Sequence, residues 1–360
     1  MRNHLYTCLL IVFISLYTGS NAKTRSSFDQ MLMSRDGSAK RKPSEETVDK
    51  EELNKSYLEI VGAISTGLEA AVSECKHQFR WDLWNCPLTA TSVVKATTNN
   101  RAAKEVAFLQ AITAAGVMYS VTKSCSRPDN KLCGCGEGGN FHYASDTLRW
   151  KWGGCSHNVK FGEKVSRMFL GTGQPNSDIS QAVKSHNERA GHKFVKRTMR
   201  TLCKCHGVTG SCQMRTCWKQ LAGFREIGDK LKKRYKRIKD LRHMRGFMQY
   251  SNKVQHPRLT KISKQDLVHF QDSPNFCETD NSIGYLGTHG RECLRLEKGA
   301  SGKNLTKFER QSCRRLCRDC GHRVGKHVQE ETYDCDCEFK WCCSVDCKRC
   351  TRNVTRYYCK

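Results

Sequence analysis

What this sequence is short of narrows the field first. It has no apolar run of the roughly 20 residues that a membrane span needs. Residues 9–17 are too few, and the stretch 106–121 is interrupted by Gln110, Thr113 and Ser120, so the latter is expected to be a buried helix. Acid is scarce: 35 Asp and Glu stand against 62 Lys and Arg, a formal charge of +27. So strong a positive field favours polyanionic partners. Gly134, Gly136, Gly138 and Gly139 come without a P-loop lysine or a following helix pattern, and no nucleophile elbow appears. The Gly-rich stretch is therefore read as a flexible loop.

Cysteine is what the chain has in quantity, 23 in all. Residues 1–22 read as a secretory signal, with Arg2 ahead of the apolar core and Ser20-Asn21-Ala22 as a small-x-small cleavage site. Cys8 leaves with the signal, and the 22 that remain are an even number, which leads us to expect eleven disulfides. The rival reading is zinc, since Cys335-x-Cys337 and Cys347-x-x-Cys350 have ligand-like spacing, but the oxidising route and the even count favour bridges and no bound metal. In that compartment the polyanions are sulfated glycans, heparan sulfate among them, or anionic membrane surfaces, ahead of nucleic acid. The chain is long enough for two domains, and the mature protein is expected to be soluble before modification.

Taken in order, residues 23–50 read as a mobile polar leader. Asn54, Asn304 and Asn353 begin glycosylation sequons. Val61, Ile64, Leu68 and Val72 fall at helical spacing up to Cys75, after which Cys75 and Cys86 bracket Phe79, Trp81 and Trp84 as a stapled corner. The Ala-rich stretch 102–121 is the expected central helix. Cys125, Cys133, Cys135 and Cys155 then frame the Gly-rich region. A helix over 178–199 would place Ile179, Val183, Ala190, Phe194 and Met199 near one face and carry His186 and His192. Between Arg225 and Arg245, Ile227, Leu231, Tyr235, Ile238 and Leu241 recur amid ten Lys and Arg. That basic amphipathic helix is either the solvated face of a bundle or a heparan-sulfate contact. Residues 246–276, with Pro257 and Pro274, read as a linker. Beyond it, twelve cysteines in 84 residues describe a segment held by staples more than by an apolar core.

Two hairpins carry the chemistry. Over 203–218, Cys203 and Cys205 share one strand face, and Gly207 and Gly210 supply the turn before Cys212 and Cys217. Nesting Cys205–Cys212 inside Cys203–Cys217 would hold out a short loop whose reactive side chains are His206, Thr209 and Ser211. The second hairpin is nearly symmetric about Cys342 and Cys343, which suggests Cys335–Cys350 and Cys337–Cys347 with the doublet at the tip. Each half of the doublet could instead find a distant partner, because spacing does not fix connectivity. Phe339, Trp341 and Val345 have little of their own loop to bury against, which suits a partner-binding hot spot; the alternative is packing along the hairpin.

These strings resemble the Wnt family of secreted signalling proteins. The resemblance rests on Cys-Lys-Cys-His-Gly-Val-Thr-Gly-Ser-Cys-Gln-Met-Arg-Thr-Cys-Trp at 203–218, Cys-Lys-x-Gln-Phe-x-Trp-x-x-Trp-Asn-Cys-Pro at 75–87 and Cys-Glu-Phe-Lys-Trp-Cys-Cys-Ser-Val-Asp-Cys at 337–347. Ser-Pro-Asn-Phe-Cys, Gly-Arg-Glu-Cys and Ser-Cys-Arg-Arg-Leu-Cys-Arg-Asp-Cys-Gly look most like the eighth Wnt subfamily, which shares the count of 22 mature cysteines. The likeness runs over 57–359. It implies an α+β, disulfide-rich fold: a helical N-terminal domain, 51–245, bearing a lipidated β-hairpin thumb at 203–217, and a small cystine-rich β-hairpin C-terminal domain, 277–360, bearing a finger loop at 337–347.

The resemblance further implies a ligand of the extracellular space and matrix whose two tips grip the cysteine-rich domain of a Frizzled receptor, through Thr209, Phe339, Trp341, Cys342, Cys343 and Val345. An LDL-receptor-related coreceptor would complete signalling. The acyltransferase Porcupine and the carrier Wntless would act before secretion. In place of a cofactor it implies a monounsaturated fatty acyl ester, and in place of the family's acyl-bearing serine this chain has Thr209, with Ser211 as the alternative acceptor. Implied pairings are Cys342–Cys343, Cys277–Cys320, Cys293–Cys313 and Cys317–Cys359; Cys75–Cys86, Cys125–Cys133 and Cys135–Cys155 complete the expected framework. Lys340 replaces the family's usual histidine, which bears on receptor preference. A secreted disulfide-rich lipid hydrolase is the reading from another class. His206 lies three residues from Thr209, but no nearby carboxylate orients it and no His-Asp pair follows the doublet, so no catalytic residue is expected.

Overall fold

The computed structural model describes residues 50–98, 102–127, 130, 132–136, 150–171, 179–212, 215–243, 248–251, 254–259, 262–281, 285–295 and 305–360. The signal, almost all of the leader, the Gly-rich stretch 137–149 and Asn304 lie outside them, as does the side chain of Asn54. The chain divides into two compact units, one of residues 1–75 and 88–273, the other of 76–87 and 274–360. The stretch read as a linker thus clusters, as far as Ser273, with the first unit.

In the first unit the helices are α1 (Lys50–Phe79), α2 (Ala90–Thr98), α3 (Lys104–Ser124), α4 (Val159–Leu170), α5 (Ile179–Arg197) and α6 (Phe224–Tyr235). Helix α3 is apolar on every side and long enough to cross a membrane by length and composition, yet 83% of that apolar window is buried inside the protein. It is the core helix, packed against α2, α4, α5 and α6. Small residues let the backbones come close. A β-carbon at Gly116 would collide with the Gly67 carbonyl oxygen of α1, and one at Gly191 of α5 with the Ala111 carbonyl oxygen of α3. Around these contacts Ile64, Phe108, Ile112, Met118, Ile227 and Leu231 are fully buried.

The buried Asn187 side chain is bonded on both its donor and its acceptor side, as burial favours. The Asn187 amide donates to Gln110 Oε1 at 2.9 Å and to the Val268 carbonyl at 3.1 Å, and accepts from the Val268 amide at 3.0 Å. That bond pair stitches the strand β7 (Val268–His269) onto the helices, with Leu267 and Val268 wholly buried. It also explains why the helix expected through Leu241 stops at Tyr235. The Lys239 amide donates to the Leu267 carbonyl at 3.1 Å, and β4 (Lys239–Asp240) runs parallel to β7. Tertiary pairing outbids helical propensity there.

His192 is buried among α3, α4 and α5, its Nε2 2.8 Å from Ser166 Oγ and its Nδ1 without a hydrogen-bond partner. Burial drives its pKa from 6.5 down to about 4, against the opposing pull of Glu163 and with help from Arg167, Lys196 and Arg189. A neutral native imidazole that ionises near 6.5 when unfolded gives stability that is full above pH 6.5 and is lost as pH falls towards 4. The loss should approach about 3 kcal/mol. Chemical unfolding at pH 7 and pH 4.5 should show it, and His192→Gln should flatten that part of the profile; an unchanged slope would remove the assignment.

The second unit is built on a ribbon. Strands β11 (Val324–Lys340) and β12 (Ser344–Cys359) pair antiparallel, and β10 (Glu292–Cys293) joins β12 at the ribbon's base. The small core there is Cys293, Cys313, Leu316, Cys317 and Cys359, with Leu83, Val324 and Tyr357 packed on it. Leu83 comes from far upstream in the chain. Its carbonyl accepts from Tyr285 Oη at 2.5 Å and from Arg291, which also donates to the Asp82 carbonyl at 2.8 Å. Arg315 donates to the Trp81 carbonyl at 3.0 Å. Two guanidinium groups thus satisfy a turn that makes no sheet of its own.

Disulfides join Cys125–Cys133, Cys135–Cys155, Cys203–Cys217 and Cys205–Cys212 in the first unit. Those of the second are Cys277–Cys320, Cys293–Cys313, Cys317–Cys359, Cys335–Cys350 and Cys337–Cys347. Cys75 and Cys86 are each disulfide-bonded as well. No group of three or more metal-binding side chains occurs among the described residues.

Candidate functional site

The first tip closes the hairpin of β2 (Arg200–Cys205) and β3 (Arg215–Gln220), which β1 (Trp150–Trp152) extends as a parallel neighbour of β3. Cys203 stands directly opposite Cys217, so one bridge rungs the ladder, and Cys205–Cys212 closes the loop above it. Inside that loop Val208–Gly210 form a single 3-10 turn, held by the Gly207 amide on the Ser211 carbonyl at 2.8 Å and the Ser211 amide on the Val208 carbonyl at 3.2 Å.

Thr209 sits at the apex with φ 58 and ψ 23, a left-handed conformation that a β-branched residue rarely adopts. Its hydroxyl donates to the Val208 carbonyl at 2.6 Å, and the residue is exposed. Val208 beside it is 86% exposed. Ser211 is placed differently: it is half-buried, and its Oγ lies so close over Gly207 that a β-carbon there would collide with it. Of the two hydroxyls the loop presents Thr209. His206 is exposed, and Thr209 bonds to backbone instead of to its ring, so no nucleophile and base pair forms.

The second tip ends the ribbon. Pairing is continuous from Val324↔Cys359 to Cys335↔Lys348, breaks at a bulge where Asp336 has φ 44, and resumes over Glu338↔Asp346, Phe339↔Val345 and Lys340↔Ser344. Beyond the bulge the hairpin pairs with no other strand among the described residues. Phe339 and Val345, opposite one another and so on one face, are 67% and 60% exposed, and Trp341 at the turn is 94% exposed. Lys340 makes an ion pair with Asp346 across the strands. None of the three apolar side chains packs away along its own hairpin.

One expectation needs correction at this tip. Cys342 and Cys343, expected to bond to each other, are both free and exposed. Their φ values, 72 and 86, are both left-handed. A disulfide would have to bring their two Cβ atoms to about 3.8 Å, a geometry that adjacent residues reach only with strain. Asn353, the sequon whose side chain is described, is exposed on β12 opposite Glu330.

The Wnt family model matches residues 44–360. Protein Wnt-8b of Danio rerio is 43% identical over 307 residues, which is 85% of this chain and 84% of that one. Protein Wnt-8a of Homo sapiens is 40% identical over 313 residues, covering 85% and 86%. Among solved structures, the chain is similar to one in human WLS in complex with WNT8A, with a TM-score of 0.61, 37% identity and coverage of 85% of this chain and 96% of that chain.

Proposed function

The chain belongs to the Wnt family, whose members are signalling ligands and not enzymes, and on that premise we propose that it is a secreted, lipid-modified ligand for the cysteine-rich domain of Frizzled receptors. The observation that carries the reading is the pair of tips. One offers a hydroxyl on a loop pinned by two bridges, and the other offers Trp341, Phe339 and Val345 on a stiff ribbon end. A fatty acyl chain on Thr209 adds about 0.8 kcal/mol per buried methylene, which outweighs most polar contacts. Its low solubility calls for a carrier on the way out. The solved relative is a WNT8A complex with WLS, which supports Wntless in that role here. Porcupine would form the ester, and a coreceptor related to the LDL receptor would complete the signalling complex. The excess of 27 positive charges supports heparan sulfate as the matrix partner.

The finger is tested by Trp341→Ala. A large aromatic left 94% exposed acts through the partner it binds, so affinity for a Frizzled cysteine-rich domain should fall by about 2 kcal/mol, roughly thirtyfold, while secretion stays at the wild-type level. Surface-binding measurements on purified protein decide it. A well-secreted variant with unchanged affinity would overturn the finger's role.

A further inference from the structure

We propose that the groove between the last turn of α5 and the solvent face of α6 is a binding site for a short sulfated segment of a glycosaminoglycan. The inference rests on the reading that the chain works outside the cell, and it gives that general charge preference an address. The groove encloses about 510 Å³ and is lined by six cations, Arg197, Lys230, Lys233, Arg234, Lys236 and Arg237. Phe194 and Gln265 complete the wall, and neither is acidic.

The cations differ in what they already hold. Lys230 pairs with Glu226 at 2.8 Å and Arg234 with Asp266 at 3.0 Å, so these two are positioned from outside the groove. Arg197, Lys233 and Arg237 are exposed and form no ion pair among the described residues. Three uncompensated cations lining one groove, two of them guanidinium forks, suit sulfate oxygens. Gln265 adds an amide donor.

Shape and packing choose among anions. A basic amphipathic helix lies on a bilayer by inserting its apolar face, but the apolar face of α6 is spent, since Ile227 and Leu231 are fully buried. The cations also line a concavity, which a bilayer surface cannot enter and a saccharide chain can. Arg197 comes from α5 and the other five cations from α6 and the two residues that follow it, so the site exists only in the folded unit.

The test uses full-length secreted protein and a heparin octasaccharide at 0.15 M salt. The triple variant R197S/K233S/R237S should bind at least tenfold more weakly, with the slope of log affinity against log salt reduced by roughly two to three. A control that removes the same charge elsewhere, K307S/R318S/K326S, should change affinity less than twofold. Frizzled affinity of the groove variant should stay at the wild-type value, so failure here and failure of the ligand reading separate cleanly. Equal weakening by both triples, equal affinity for the desulfated octasaccharide, or loss of binding to phosphatidylserine vesicles in parallel with the octasaccharide would each overturn the proposal.

Discussion

Replacing Thr209 by alanine is expected to yield protein with no acyl group and no signalling activity. The argument starts from the loop. Two bridges and three short backbone hydrogen bonds fix it, so an acyltransferase that reads its shape meets the apex first. The apex residue is exposed, whereas the Ser211 oxygen is folded over Gly207. Ser211→Ala should therefore matter little. Thr209→Ser should do the opposite of Thr209→Ala: a primary hydroxyl is less crowded than threonine's, and removing the β-branch eases a left-handed conformation. The acylated fraction and signalling should both rise. Mass spectrometry of the 203–218 peptide, before and after alkaline hydroxylamine, reads the outcome. An acyl group on Ser211, or full signalling by Thr209→Ala, would refute the assignment.

The largest stability effect should come from one added methyl group at Gly191. Helices α3 and α5 meet there with no room for a β-carbon beside the Ala111 carbonyl oxygen, and backbone cannot step aside as a flexible side chain does. Gly191→Ala should cost about 3 kcal/mol through forced separation of the pair, and Gly191→Val more. Secretion should drop accordingly. The informative contrast is Gly62 in α1, where a β-carbon meets nothing within 4 Å. Gly62→Ala should stabilise by roughly 0.5–1 kcal/mol, because alanine is the better helix former. Thermal unfolding of both variants measures the two signs. If Gly191→Ala unfolded at the wild-type temperature, the packing account of α3 would fall.

Much of this architecture is visible in residue spacing. Val61, Ile64 and Leu68 mark α1, the alanines of α3 mark a helix buried all round, and Ile179, Val183 and Phe194 mark α5, because a period of 3.6 is a property of the local chain. The nested cysteines of the two hairpins are equally local. What escaped is what depends on distant partners. The end of α6 is set by Leu267, 28 residues further on from Lys239. Arg197 joins the cationic groove from another helix, and its only local signal was a basic residue in a last helical turn. The doublet Cys342 and Cys343 depends on two φ values that no spacing encodes. Thr209 was legible as the preferred acceptor from the resemblance and the loop's expected shape, whereas the fold of the Ser211 hydroxyl over Gly207 is a property of the turn itself.

The turn held by Arg291 has a consequence for how the protein is made. Leu83 and Arg291 are 208 residues apart, yet the carbonyls of Asp82 and Leu83 accept from that arginine, and the Leu83 carbonyl from Tyr285 as well. A ribosome adds about 5–20 residues each second, so the turn waits roughly 10–40 s in the lumen before its cradle has been synthesised. Throughout that interval Trp81 and Trp84 have emerged without the unit that receives them. Completion of the second unit therefore waits for the strand that carries Cys359, and resident chaperones have a defined early segment to hold until then.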